Sequence, residues 1–482
     1  ARRLRNSGRI LFADRSMAQQ SITLIGGGLV GALLARLLAQ RGFAVEVFEK
    51  RADPRRAALA EGRSINLALA ERGLQALRTT DLAAPVLDRA VMMRGRMVHD
   101  GAEHCALQRY GVDDGEVIWS ASRNTLNTLL LDAAEAVGVR FHFGAELVAA
   151  DFDHRRIRLA DAGGTQREHE AGLLIGADGA GSALRAAMAQ HSPLGERVEP
   201  LGHGYKELEI PAIAAWPDDQ PPADAQGNFA LEPNALHIWP HGHYMCIALP
   251  NAEGSFTVTL FLPAKGTHPS FESMPDVAAA RAFFAEQFPG LLPLMPGFDA
   301  DWAQHPMGTL ATLYLDRWHL DHRALLIGDA AHAIVPFHGQ GMNCGFEDTV
   351  TLAGLLAAEP HASAEVFVEF QRLRKPNTDA IAAMSLANYI EMRDAVADPH
   401  YLAKRALEAR LAPRIPGHFM AHYRMVAFTH LPYAYAQRRN DAQDVLIEQL
   451  LRDTPDPAAV DLDAASRLFQ AQLEPLPELA RG

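Results

Sequence analysis

Short apolar runs that end at glycine recur along the chain, and each marks a strand entering a turn. Ile22–Ile25 is apolar and stops at Gly26-Gly27-Gly28, the pattern of a buried strand. Leu29–Gln40 follows, Ala- and Leu-rich and without proline, which predicts a helix. Arg41-Gly42 ends it, and Ala44–Phe48 predicts the next strand. Further along, Leu126–Ala136 predicts a helix and Arg140–Phe143 a strand. Leu173–Ile175 predicts a strand running into Gly176-Ala177-Asp178-Gly179, and Ala324–Ile327 one running into Gly328-Asp329-Ala330-Ala331-His332. Residues 196–304 read differently: IWPHGHYMCIALP and SFTVTLFLP alternate and carry turn signals, as antiparallel sheet does. Residues 86–117 are mixed. From Ala364 the chain reads as mainly helical, up to an acidic, Pro-containing tail after Arg452. No internal repeat or low-complexity tract interrupts this order.

These elements predict an α/β fold. A Rossmann-like domain is built discontinuously from residues 17–85, 118–195 and 305–395. A second domain of antiparallel sheet is inserted as 86–117 and 196–304, and 396–482 form a helical C-terminal region. Residues 1–16, with five arginines before Met17, are short and lack an apolar core. They read as a leader or the product of an upstream start rather than a transit peptide, and are set aside.

Composition narrows the function. Of 482 residues, 45 are Lys or Arg and 58 Asp or Glu, a formal charge of −13; such a surface repels nucleic acid and anionic lipid. Cys105, Cys246 and Cys344 are far apart, without the spacing of a metal site or disulfide framework. No apolar run is long enough for a membrane span. His237, His241 and His243 cluster around the turn that contains Pro240 and Gly242. Without nearby Cys or paired carboxylates they read as hairpin histidines, and no metal is expected.

The chemistry is concentrated at the glycines. Gly26, Gly28 and Gly31 fit G-x-G-x-x-G between a strand and a helix. The first glycine serves the turn, the second lets a pyrophosphate approach, and the third brings helix and sheet together. Glu49 closes the second strand, where a carboxylate accepts ribose hydroxyls. A tight structural turn beside a chance acidic residue is the alternative, and the motif alone does not choose between NAD and FAD.

In their order and spacing, the Gly26 motif, GADG and GDAAH resemble the three signatures of the class A flavin-dependent aromatic hydroxylases. Further blocks are similar to the kynurenine 3-monooxygenase branch of that family. They are GRSINLAL from Gly62, MMRGRMVHD, Tyr110-Gly111, WSASRNTL from Trp119, HIWPHGHYMCIALP and NYIEMRD from Asn388. The resemblance covers Ile22 to about Tyr435.

It implies an FAD enzyme in which Asp329 meets the ribityl chain. The backbone of Gly339, Gly341, Met342 and Asn343 would face the isoalloxazine ring. Val30, Phe48, Glu49, Lys50 and Arg51 would contact the adenosine half, and Ala68, Arg123 and Leu147 would make further contacts. It implies that Arg96 and Tyr110 hold a substrate carboxylate, that Asn388 and Tyr423 add contacts, and that Phe337 and His338 face the flavin region. These residue types suit the binding of an amino acid. A guanidinium binds a carboxylate bidentately, and phenol and amide add oriented hydrogen bonds. Arg96 as a surface residue and Tyr110 as a loop anchor are the plain alternatives.

The implied reaction is hydroxylation of L-kynurenine to 3-hydroxy-L-kynurenine with NADPH and O2, through a flavin C4a-hydroperoxide, in tryptophan degradation and quinolinate synthesis. The flavin carries the chemistry, so no catalytic side chain is assigned. A second glycine-rich fingerprint is missing, so NADPH is expected to dock transiently. Eukaryotic relatives carry an apolar C-terminal anchor; the tail AASRLFQAQLEPLPELARG does not read as one, and a soluble cytoplasmic protein is expected. The rivals are a class A hydroxylase of a phenol or quinone precursor, a non-catalytic FAD-binding interaction protein, and an NAD dehydrogenase.

Overall fold

A computed structural model describes residues 20–56, 66–100, 104–216, 222, 225–392 and 398–478. The leader, Gly62–Ile65 of the GRSINLAL block and Arg393-Asp394 of NYIEMRD lie outside the described residues.

Among the described residues, six strands form the nucleotide sheet. Their order is His319–Leu320, Ala324–Leu326, Leu173–Gly176, Ser21–Ile25, Ala44–Glu49, Arg140–Phe143. All pairs are parallel except the edge hairpin of the first two. Parallel strands bury both faces, and Ile22, Leu24, Val47 and Ile175 are essentially inaccessible. The helix Leu29–Gln40 packs on this sheet, flanked by the helices Arg123–Glu135 and Gly341–Ala358. Ser21–Ile25, Ala44–Glu49, Leu173–Gly176 and Ala324–Leu326 therefore release Gly26, Lys50, Ala177 and the Ile327-Gly328 turn at one edge, the carboxyl end where open α/β sheets place ligands.

The second sheet has seven described strands, in the order Gly308–Tyr314, Arg197–Ile210, Phe256–Pro263, Met245–Pro250, Ala235–Pro240, Gly95–Asp100, His104–Arg109. It is antiparallel except where Ala235–Pro240 runs parallel to Gly95–Asp100. This join unites the two inserted segments and places Leu236 opposite Arg96.

Two expected boundaries shift. Gly308–Tyr314 pairs with Arg197–Ile210, so the inserted sheet reaches past 304. Ala90–Met93 instead joins a three-stranded sheet with Asn66–Leu69 and Ile118–Ser122. The helix expected at Leu126 starts at Arg123, because the Ser122 hydroxyl accepts the Thr125 N–H and caps it earlier.

The C-terminal part is helical, as the pattern predicts: Ser363–Ile390, Pro399–Leu411, His422–Ala427, Tyr433–Asp453 and Leu462–Gln472. Among the described residues no helix is long and apolar enough to cross a membrane.

Candidate active site

The glycine turn has the geometry its spacing requires. Gly26 has φ +104°, and a Cβ there would lie 2.4 Å from the Ala177 carbonyl oxygen. A Cβ on Gly31 would meet the Gly26 carbonyl oxygen at 2.0 Å. On Gly28 it would meet nothing closer than 3.9 Å, the Arg51 guanidinium, so this side of the turn is open to a ligand. The first intrahelical bond runs from the Ala32 N–H to the Gly28 carbonyl, leaving the amides of the first turn for an anion.

Glu49 is buried. It accepts the Gly27 N–H at 2.7 Å and both the backbone and Nε of Arg51 at 3.0 and 2.7 Å. Burial alone would raise its pKa, but the Arg51 and Gly27 hydrogen bonds outweigh that and hold it below the usual range. The carboxylate is thus ionised, an acceptor for ribose hydroxyls.

The other cofactor candidates divide by what their side chains do. Asp329 and Arg123 are exposed, each in the first turn of a helix, and Lys50 and Arg51 are exposed beside the glycine turn. Phe48 and Leu147 bury their side chains in the core, so their backbones are what they offer. Val30 fixes the crossing of two helices: a Cβ on Gly345 would approach it to 2.7 Å. Asn343 is spent as a brace. It donates to the Ala68 and Gly339 carbonyls, both at 2.8 Å, and accepts the Ala70 N–H at 2.9 Å. The next helix begins at Gly341, and its first internal bond is Cys344 N–H to Gln340. The amides of Gly341, Met342 and Asn343 are therefore free for an electron-rich ring edge. Asp178 of GADG instead accepts from Ser182 and Leu184 and starts the helix Ala183–His191.

The substrate candidates meet where the second sheet faces the C-terminal helices. Tyr110 and Tyr423 stack with centroids 5.1 Å apart, and the Arg96 guanidinium lies 5.9 and 5.0 Å from those centroids. Protein surrounds all three, yet each keeps some accessible surface. Burial pushes the pKa of both phenols up, keeping them as donors. Desolvation opposes the charge on Arg96, but the phenol oxygens and Glu391 offset it. The Arg96 Nε is buried without a hydrogen-bond partner, and such a group calls for an acceptor.

His338 stacks on Tyr423 at 5.2 Å. Burial, helped by His422, lowers its pKa to about 3; its Nδ1 is likewise unpartnered. Phe337 stacks on Tyr389 at 4.1 Å within an apolar wall that includes Phe261, Ile238 and Leu310. Asn388 donates to the Phe337 carbonyl at 2.6 Å, so one amide hydrogen holds the Pro336–His338 turn.

The histidine hairpin does not converge on one point. His237 bonds His99 at 2.8 Å and the Glu232 carbonyl, while His241 stacks on Tyr244. His332, Cys344 and Asp348 do come together, a grouping without a signature in the sequence. The His332 ring bonds Asp348 at 2.6 Å, and Arg374 binds the other carboxylate oxygen at 2.6 Å. A guanidinium thus already occupies the cationic position. Arg72 has no sequence signal either. This buried side chain bonds Glu347, the Val426 and Leu431 carbonyls, and lies 3.9 Å over the Tyr433 ring.

Comparison with known proteins places these features in a family. The model for an FAD binding domain matches residues 19–204 and 295–385. Kynurenine 3-monooxygenase of Stenotrophomonas maltophilia is 55% identical over 89% of this chain and 92% of its own length. That of Xanthomonas axonopodis pv. citri is 53% identical over 95% and 98%. Among solved structures, the tetrameric form of 2-methyl-3-hydroxypyridine-5-carboxylic acid oxygenase aligns with TM-score 0.61 at 23% identity, over 80% of this chain and 96% of its own. P. aeruginosa PqsL in complex with 2-aminobenzoylacetate aligns with TM-score 0.60 at 20% identity, over 78% and 97%. These two likenesses speak for the fold.

Proposed function

The chain belongs to the kynurenine 3-monooxygenase family, and from that premise we propose that it hydroxylates L-kynurenine to 3-hydroxy-L-kynurenine, with FAD in the glycine cradle and NADPH and O2 as co-substrates. The open side of Gly28, the ionised Glu49 and the free amides at Gly341 fit such a dinucleotide. Bound FAD supplies the redox chemistry that activates oxygen.

The protein's own residues supply position and exclusion. Arg96 takes the α-carboxylate of the amino acid, and its orphaned Nε is the observation that carries this reading. The Tyr110 and Tyr423 hydroxyls donate to the same group. Phe337 and the apolar wall receive the aromatic ring, and the neutral His338 borders it without adding charge. The amino group of the substrate itself enriches the ring carbon beside it, so no strong base is required. The helix His422–Ala427, which carries Tyr423, covers the site and keeps water from the reacting centre. NADPH docks transiently at the surface, and the protein works in the cytoplasm.

The test is NADPH oxidation by the FAD-loaded protein with L-kynurenine set against salicylate-type and phenolic compounds. Stimulation by kynurenine supports the reading. Hydroxylated product from the phenols alone assigns the protein to the rival reaction.

A further inference from the structure

The two tyrosines beside Arg96 come from segments more than three hundred residues apart, and one ion pair joins those segments. Arg424, next to Tyr423, donates from Nε to Glu116 Oε1 at 2.5 Å across 308 positions of sequence. Both side chains are largely withdrawn from solvent, at 22% and 14% exposure, where a charged hydrogen bond is screened less than at the surface. The second Glu116 oxygen accepts the Val112 N–H at 2.9 Å, closing the turn that follows Tyr110. Gly111 lies flat against the same side chain: a Cβ there would meet the Glu116 Cβ at 2.1 Å. One carboxylate thus shapes the turn carrying one phenol and holds the helix carrying the other. Around it, Tyr110, Tyr423, Ile118, Phe428 and Ala427 share an apolar cluster, which gives the pair a fixed backing.

We propose that Glu116 and Arg424 form a latch that brings Tyr110 and Tyr423 into register on either side of the substrate carboxylate. They are positioning residues: neither belongs to the Arg96 clamp, and both act through the tyrosines. Opening the latch removes one or both phenol contacts and admits water, while the distant glycine cradle keeps its FAD. The inference rests on the substrate reading above.

The experiment measures L-kynurenine affinity from the perturbation of bound-flavin absorbance in the wild type, Glu116→Gln, Arg424→Gln and the double variant. Hydrogen exchange across residues 422–428 is measured in the same four proteins without substrate. Each single change is expected to weaken kynurenine binding roughly tenfold, the low end for a charge-assisted hydrogen bond. The double variant should be no worse than the poorer single, because the two side chains form one interaction. KM and the share of NADPH lost to hydrogen peroxide should rise together at unchanged FAD content. Arg424→Lys, which keeps the charge, should fall between the wild type and Arg424→Gln and covers the case in which that variant folds poorly. Exchange at 422–428 should quicken in both singles.

Wild-type affinity in both singles, or strictly additive losses, would overturn the latch. If the wild type binds no kynurenine, the substrate reading fails. The latch is then decided by exchange alone: protection equal to wild type in both singles overturns it.

Discussion

Arg96 is held charged among buried groups with one N–H unmet, and its removal is the most direct residue-level perturbation. Arg96→Ala is expected to weaken L-kynurenine binding by about 1.5–3 kcal/mol, the scale of a charged hydrogen bond, with FAD content unchanged; titration of flavin absorbance checks it. Histidines give a pH signature. His338 is depressed to about 3, and His99 and His237 to about 4, mainly by burial. Each is neutral in the folded protein, whereas the unfolded chain takes up a proton below about 6.5. Stability is therefore fully present above that pH and falls as the solution is acidified through 6.5 towards 4, by up to about 1.4 kcal/mol per pH unit for each histidine. Urea unfolding at pH 7 and pH 5 should show this loss, and His338→Phe should make it shallower.

At the scale of elements, the glycine turn is the tightest joint. Gly31→Ala forces a methyl into the Gly26 carbonyl, so the strand and helix must separate; the expected outcome is protein purified without yellow colour, read from the absorbance spectrum. Arg72 does the matching work at the other end. It ties the helix Glu71–Arg78 to Glu347 and to carbonyls on both sides of the turn between His422–Ala427 and Tyr433–Asp453. Arg72→Met leaves the Val426 and Leu431 carbonyls without this donor and Glu347 with Arg374 alone, and should cost about 1–3 kcal/mol of unfolding free energy, measured by denaturant titration.

How legible these joints are in the sequence depends on the range of their physics. The strand–glycine–helix unit is local, and its residues can be read because backbone geometry leaves few alternatives. Register within the second sheet is less legible: the parallel pairing of Gly95–Asp100 with Ala235–Pro240 joins two distant segments. Resemblance points to Asn343 and Asn388, but their use as backbone braces depends on turns that sequence does not specify. The Glu116–Arg424 pair has no local signal at all.

Over the whole molecule, two sheets and the C-terminal helices each supply part of the candidate site. The nucleotide sheet brings the glycine turn, Glu49 and Gly328 to its carboxyl edge, the second sheet brings Arg96, and the C-terminal helices bring Tyr423 and Asn388. The proposed function divides the chemistry accordingly: a dinucleotide on parallel sheet, an amino acid held by a cation from a different sheet, and a helical cover to shut out water. Family membership extends over nearly the whole chain, while the solved structures share the fold at low identity.

The most direct test supplies FAD-loaded protein with NADPH, L-kynurenine and ¹⁸O-labelled dioxygen, and resolves the products by chromatography and mass spectrometry. The expected result is 3-hydroxy-L-kynurenine carrying one labelled oxygen, formed in step with NADPH consumed. NADPH oxidation that yields hydrogen peroxide alone, with kynurenine recovered unchanged, would contradict it.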